Sequence, residues 1–293
     1  MTIQNSFGLN PIRNAFTVDV EDFFQVSAFE KFIPRADWPN YPQRICESLP
    51  KILELTAEIN VLGTFFILGW QAENHPELVR RIADAGHEIG FHSFSHSLLY
   101  QMEPAAFRDE LRRGKALLED LTGRKVEAFR APSFSITKKS LWALDVLAEE
   151  GFRYDSSIFP IYHDRYGIPD APREIHSRET DHGRIWEFPP SAAAIGSMNL
   201  PVSGGGYFRL YPYALTRHFL KAINLKEKRP FIFYVHPWEV DPDQPRLPFG
   251  SRATQFRHRV GLGRNLAKLR KLLRDFSFCP LSEAINYEIK KMG

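Results

Sequence analysis

Cysteine is nearly absent from this 293-residue chain. Cys46 and Cys279 are too few for a disulfide framework, and no Cys-x-x-Cys pair is present to hold a metal. An excess of one charge is missing too. The 38 Lys and Arg stand against 35 Asp and Glu, and a net +3 gives no electrostatic ground for a nucleic-acid partner. The longest uncharged stretch, Phe188 to Phe208, carries Pro189, Pro190, Pro201 and the triplet Gly204, Gly205 and Gly206, so it does not read as a membrane-spanning helix. The opening MTIQNSFGLN lacks the basic start and apolar run of a secretory leader, and no Asn-x-Ser/Thr sequon occurs. A soluble, cytoplasmic protein is the expectation. No G-x-S-x-G elbow is present, and Gly261-x-Gly263 has neither a third glycine nor a preceding strand for a dinucleotide site. No repeat or linker divides the chain. It reads as one domain over 1–293, with a core at about 14–240 and a helical extension over 241–293.

What is present is an ample core: 43% of residues are hydrophobic and 25% charged, a balance that excludes wholesale disorder. Short β-rich runs alternate with amphipathic helical patterns. Strands are expected at Asn14 to Val20, Gly63 to Ile67, Glu88 to Phe91, Ala128 to Arg130, Phe152 to Asp155, Arg184 to Phe188 and Pro230 to Val235. Helices are expected over Arg44 to Asn60, from Pro76 to before Gly86, from Pro104 to Gly123 and over Thr137 to Glu150. Repeated βα units imply a parallel sheet with helices outside, open or closed into a barrel. Ser156 to Gly183, rich in Pro, His and charge, reads as a functional loop or a solvated insertion.

In such folds catalytic groups gather where strands end. Four strand ends here finish in reactive residues: Asp19, Glu21 and Asp22; His92 and His96; Arg130; and His236. Two histidines four apart share one face of a helical turn, a spacing suited to two nitrogen ligands of a zinc-like metal. Between them stand Ser93, Phe94 and Ser95, so a base must come from elsewhere, and Asp19 is the natural candidate. Two histidines and a carboxylate leave positions open for water and substrate. Arg130 suits a bidentate hold on a carboxylate such as Asp19, and His236 suits proton donation to a leaving group, or else is a satisfied core histidine.

Together these residues resemble the polysaccharide deacetylase superfamily (NodB homology, carbohydrate esterase family 4). The family's motifs read here as Asp19-Val20-Glu21-Asp22, His92-Ser93-Phe94-Ser95-His96, Arg130-Ala131-Pro132, Asp155 and Tyr234-Val235-His236, in the family's order. The sequences DVED, RYDSS, WEFP and GGGYFR further resemble a branch linked to bacterial exopolysaccharide and exosortase-associated gene clusters. The resemblance implies a distorted (β/α) barrel of about seven parallel strands, a divalent metal, usually zinc, and hydrolysis of an N-acetyl group on an amino sugar. The first motif departs from two adjacent aspartates, so either Glu21 or Asp22 is the carboxylate ligand beside His92 and His96.

On that reading Asp19, oriented by Arg130, is the base. A backbone N–H of Ser133 or Phe134 meets the oxyanion. His236, held by Asp155 or Glu187, protonates the amine. Trp186, Tyr207 and Trp238 are candidate sugar-stacking walls or plain core. The substrate is an N-acetylated glycan or a lipid-linked oligosaccharide. Alternatives are an amidohydrolase of cyclic ureides on the same scaffold, and an inactive glycan-binding module. Thr254 to Phe276 reads as one amphipathic helix with Phe256, Val260, Leu269, Leu273 and Phe276 on its apolar face. It is either an outer helix of the barrel or a contact for an anionic lipid or membrane surface, through Arg257, Arg259, Arg264, Lys268, Arg270, Lys271 and Arg274.

Overall fold

A computed structural model describes residues 12–196 and 198–292. The decapeptide on which the absence of a leader was read lies outside the described residues. Eleven strands are present among them: β1 (Asn14–Val20), β2 (Thr64–Ile67), β3 (Glu88–Phe91), β4 (Ala128–Phe129), β5 (Tyr154–Asp155), β6 (His176–Thr180), β7 (Gly183–Glu187), β8 (Ala192–Ile195), β9 (Met198–Pro201), β10 (Ile232–Val235) and β11 (Phe278–Cys279). The helices are α1 (Ile45–Ile59), α2 (Gly69–Asn74), α3 (Pro76–Asp84), α4 (Pro104–Thr122), α5 (Trp142–Glu149), α6 (Gly205–Leu210), α7 (Tyr213–Leu225), α8 (Arg252–Arg259), α9 (Leu262–Asp275) and α10 (Leu281–Met292).

The main sheet runs β10-β1-β2-β3-β4-β5-β7-β6. Its first seven strands are mutually parallel, the number expected from the resemblance, and only β6 is antiparallel, to β7. The sheet is curled into a half-barrel rather than closed by a ladder between its end strands. β11 adds a short parallel pairing to the start of β1, at Asn14 and Ala15. Because every parallel strand points the same way, all their carboxyl ends open on one rim.

Side chains alternate along β1. Phe16, Val18 and Val20 pack with the helices that cover the sheet, including Leu49 and Ile52 of α1 and Leu269 of α9. Ala15 faces the other way, into a plug with Phe66, Ala128, Tyr154, Phe188 and Ile232. Leu281, Ala284 and Ile285 belong to the same plug, so α10 seals the floor of the half-barrel. Higher in the interior, Thr17 and Asp19 continue the inward series, and both are buried.

Two expectations are corrected. The segment 254–276 is two helices, α8 and α9, because Gly261 turns left-handed (φ +76°) between them, packed where a Cβ would lie 2.6 Å from the Arg209 carbonyl oxygen. Phe256, assigned to the apolar face, is 60% exposed, whereas Leu269 and Leu273 are buried as expected. Arg270 and Arg274 pair with Glu58, while Arg259 and Lys268 donate to backbone carbonyls. Four of the seven cations thus have partners within the chain, as an outer helix requires. The 156–183 segment is not wholly irregular either, since it contains β6. Among the described residues no helix is long and apolar enough to cross a membrane.

Candidate functional site

The inward-facing series of β1 sets the site. Residues 17, 19 and 21 share one parity, and their side chains enter the interior just below the rim. Arg130, at the end of β4, is fully buried and fills the space beneath them. Its guanidinium donates to Asp19 Oδ1 (2.7 Å), Thr17 Oγ1 (2.8 Å) and both oxygens of Ser156, and lies 4.4 Å over the Phe66 ring. Only one of its N–H groups reaches Asp19, so the hold on that carboxylate is single rather than bidentate.

Glu21, His92 and His96 are all buried and bring donor atoms within 4.8 Å of one another. His96 Nε2 lies 2.9 Å from Glu21 Oε2. The two histidines do not share a helical turn. They flank a loop in which Ser93 and His96 have positive φ (64° and 55°), and these two reversals bring the rings to 5.5 Å between centroids. The loop is held from both sides: the N–H groups of Gly69 and Trp70 in α2 donate to the Ser93 and Phe94 carbonyls, and Glu110 of α4 accepts from Phe94 N and Ser95 Oγ. Ser133 and Phe134, after Arg130-Ala131-Pro132, are also left-handed (φ 48° and 53°). Among the described residues, four of the six non-glycine residues with positive φ therefore sit in the two site loops, where such strain marks functional geometry.

The donor set suits a divalent cation. His92 Nδ1 is engaged with the Arg130 carbonyl (2.7 Å), which leaves Nε2 with its lone pair, and burial pushes the ring's pKa down to about 3. Burial alone would raise the Glu21 carboxyl, yet His96 and His236 hold it below its usual value. Glu21 Oε2 is buried without a hydrogen bond, an orphan that a cation would satisfy. Asp22 is placed otherwise. Its two oxygens accept from Phe23 N and Ile45 N (2.8 Å each), so it caps the start of α1 and faces away from the histidines. Of the two acids left open by the sequence, Glu21 is the one beside them.

His236 ends β10 opposite this cluster, with Nε2 at 3.4 Å from Glu21 Oε1 and 3.8 Å from Asp19 Oδ2. Its Nδ1 faces neither Asp155 nor Glu187, as expected from the sequence, but Glu239 Oε2 at 3.2 Å. Glu239 is in turn gripped by the buried Arg209 (2.8 Å). Burial opposes charge on His236, but Glu239, Glu21 and Asp19 outweigh it and lift the imidazole to about 9. Burial likewise opposes charge on Glu239, and His236 and Arg209 outweigh that to hold it at about 2. Sequence reasoning missed both Glu239 and Arg209. The signal for Glu239 was there: an acid three residues after His236, past a proline, is the pattern of a capping box, which this turn forms.

Asp155 and Glu187 instead meet each other. Burial raises both carboxyls, and the neighbouring Asp155 charge raises Glu187 further. Glu187 Oε1 accepts from the N–H groups of Ser157 and Ile158, and Asp155 Oδ1 from Ser157 Oγ. Ser157 Oγ also accepts from Ala131 N, so the pair braces the loop after β4.

The cluster opens into a cleft of about 380 Å³ lined by Asp19, Glu21, His92, His96, Ser133, Phe134, His236 and Trp238, among others. Trp238 is no free stacking wall, because its ring is stacked between His236 (5.4 Å) and His258 (4.6 Å). Trp186 lines a separate hollow with Phe152 and Arg184. Tyr207 neighbours Tyr166, a cleft-lining residue, without lining the cleft itself.

Residues 41–154 match the polysaccharide deacetylase family, and residues 156–286 match a family described as a domain of unknown function, DUF3473. A peptidoglycan-N-acetylglucosamine deacetylase of Bacillus cereus is 37% identical over 100 residues, 34% of this chain and 36% of that protein. A peptidoglycan deacetylase of Helicobacter pylori is 31% identical over 123 residues, 41% of each chain. The chain thus spans about two fifths of the length of these curated relatives. Among solved structures, a candidate polysaccharide deacetylase of Mycobacterium smegmatis superposes with a TM-score of 0.65 at 21% identity, covering 98% of this chain and 94% of that one. The Puue allantoinase superposes with a TM-score of 0.61 at 14% identity, covering 98% and 97%. Both likenesses are of fold. Strands β2 to β5 of the half-barrel thus lie in a segment similar to the polysaccharide deacetylase family, and β6 to β11 in a segment similar to the DUF3473 family.

Proposed function

We propose that the protein removes an N-acetyl group from an amino sugar of a glycan. The observation that carries this is the meeting, at one cleft, of a buried Arg-held carboxylate (Asp19), a three-donor cation cradle (Glu21, His92, His96) and a carboxylate-backed imidazole (His236). Glu21, His92 and His96 would hold a divalent cation, most simply zinc given two nitrogens and one oxygen, which when bound acidifies a water and polarises the acetyl carbonyl. Asp19, aimed by Arg130, accepts the proton of the attacking water. The Phe134 N–H already donates to the Ala131 carbonyl, so the Ser133 N–H is the amide left for the oxyanion. His236, charged and steered by Glu239, gives its proton to the departing amine.

One catalytic unit is proposed rather than two domains, because Asp19 and His236 come from opposite ends of the core and face each other across paired strands. The substrate is proposed to be a bacterial polysaccharide, such as an exopolysaccharide, or its lipid-linked precursor, acted on in the cytoplasm. Contact of α8 and α9 with an anionic surface would fall to the other three of the seven cations, Arg257, Arg264 and Lys271. Acetate release from a panel of N-acetylated glycans, with a cyclic ureide as control, tests the reaction. Release that stops on chelation and returns with zinc is the expected result; ureide hydrolysis without acetate release would overturn it.

A further inference from the structure

We propose that Cys46, His75 and Glu77 form a second divalent-cation site, for zinc or another thiophilic metal, independent of the cleft. Cys46 lies in the first turn of α1, His75 joins α2 to α3, and Glu77 lies in the first turn of α3. Their donor atoms fall within 4.8 Å of one another. A separation of 29 positions between Cys46 and His75 hides the group from any short motif.

The convergence has the shape of a coordination shell rather than of a proton relay. In a Cys-His-Glu relay the acid and the thiol take opposite ring nitrogens. Here both approach Nδ1: Cys46 Sγ at 3.6 Å and Glu77 Oε1 at 3.7 Å. A tetrahedral zinc about 2.3 Å from sulfur and about 2.1 Å from nitrogen holds those two donors about 3.6 Å apart. The sulfur–nitrogen edge therefore already has the required length. The nitrogen–oxygen edge would be about 3.4 Å, which the exposed Glu77 reaches by a small rotation.

Electrostatics point the same way. Burial pushes the His75 pKa down, so the ring is neutral and its lone pair is free. Burial, followed by the charges of Glu77, Asp22 and Glu47, pushes the Cys46 thiol up. Those neighbouring acids would also attract a cation, and binding would release the thiol proton to solvent. With three protein donors, a fourth position stays open to water. Occupancy would tie the start of α1 to the start of α3, closing a loop through β2.

The test is titration of the chelator-stripped full chain with cadmium, which reports thiolate ligation through an ultraviolet charge-transfer band. Two equivalents and a band are expected. Cys46→Ser should bind one equivalent with no band, and Glu77→Gln should keep the band while weakening that step by at least ~10-fold. Cys279→Ser should keep the band, since that thiol is buried on the Asn14 carbonyl. The His92→Ala, His96→Ala double variant should lose the other equivalent and keep the band, which separates this site from the cleft. Absence of a band in the unmodified chain, or its persistence in Cys46→Ser, would overturn the proposal.

Discussion

Asp19 and Glu21 sit two residues apart and are assigned different work, and single substitutions separate them. Asp19→Asn keeps shape and the Arg130 contact but removes the proton acceptor. Turnover should fall by at least ~100-fold with cation content unchanged, as metal analysis alongside an acetate assay would show. Glu21→Ala should lose the cation. Asp22→Ala should keep it and instead lose on the order of 1 kcal/mol of stability, as a helix cap does, read by urea unfolding. Equal metal loss in both variants would contradict the assignment. Much of this was readable in the sequence, because parallel strands must end on a common rim and the reactive residues fell at those ends. Even the choice of Glu21 was available: it shares the parity of Thr17 and Asp19, and Asp22 does not. What could not be read is which neighbour arrives from far along the chain. His258, twenty residues beyond Trp238, covers one face of that ring and removes it from use as a stacking wall.

His87 links α1, β2 and β3 through a fully assigned set of hydrogen bonds. Gly63 N donates to its Nδ1, and Thr56 Oγ1, which itself donates to the Leu53 carbonyl, accepts from its Nε2. The neutral ring is thus the form the fold holds, and burial lowers its pKa from 6.5 to about 4. As pH falls below 6.5 the unfolded chain takes up the proton first. The contribution is therefore complete above pH 6.5 and is lost on the way down to about 4, by up to about 3 kcal/mol. Urea midpoints measured across that window should fall less steeply for His87→Gln than for the unmodified chain. Parallel slopes would show that the ring is not the titrating group. Elements with strong periodicity, such as α1 and α4, match their sequence patterns to within a residue or two. The His92–His96 loop does not, because the positive φ of Ser93 and His96 leaves no trace in a four-residue spacing.

The floor of the half-barrel belongs to the last described helix. Ile285 is fully buried among Ala15, Phe66 and Ile232, so Ile285→Ala should cost about 2–5 kcal/mol while KM and cation content stay unchanged. Thermal unfolding beside an activity assay checks this, and a rise in KM without destabilisation would show that α10 touches the site instead. The same arrangement bears on how the chain reaches its fold. β1 is synthesised before every other described strand of the sheet, yet its partners β10 and β11 lie more than two hundred residues later. Until those are made, a strand of seven buried residues has one edge unpaired and no floor beneath it. Contacts so distant in sequence close slowly, and an unpaired apolar edge invites association with other chains in the interval. A nascent chain stalled before residue 232 is thus a natural client for a chaperone, and its release must wait for translation to pass β11.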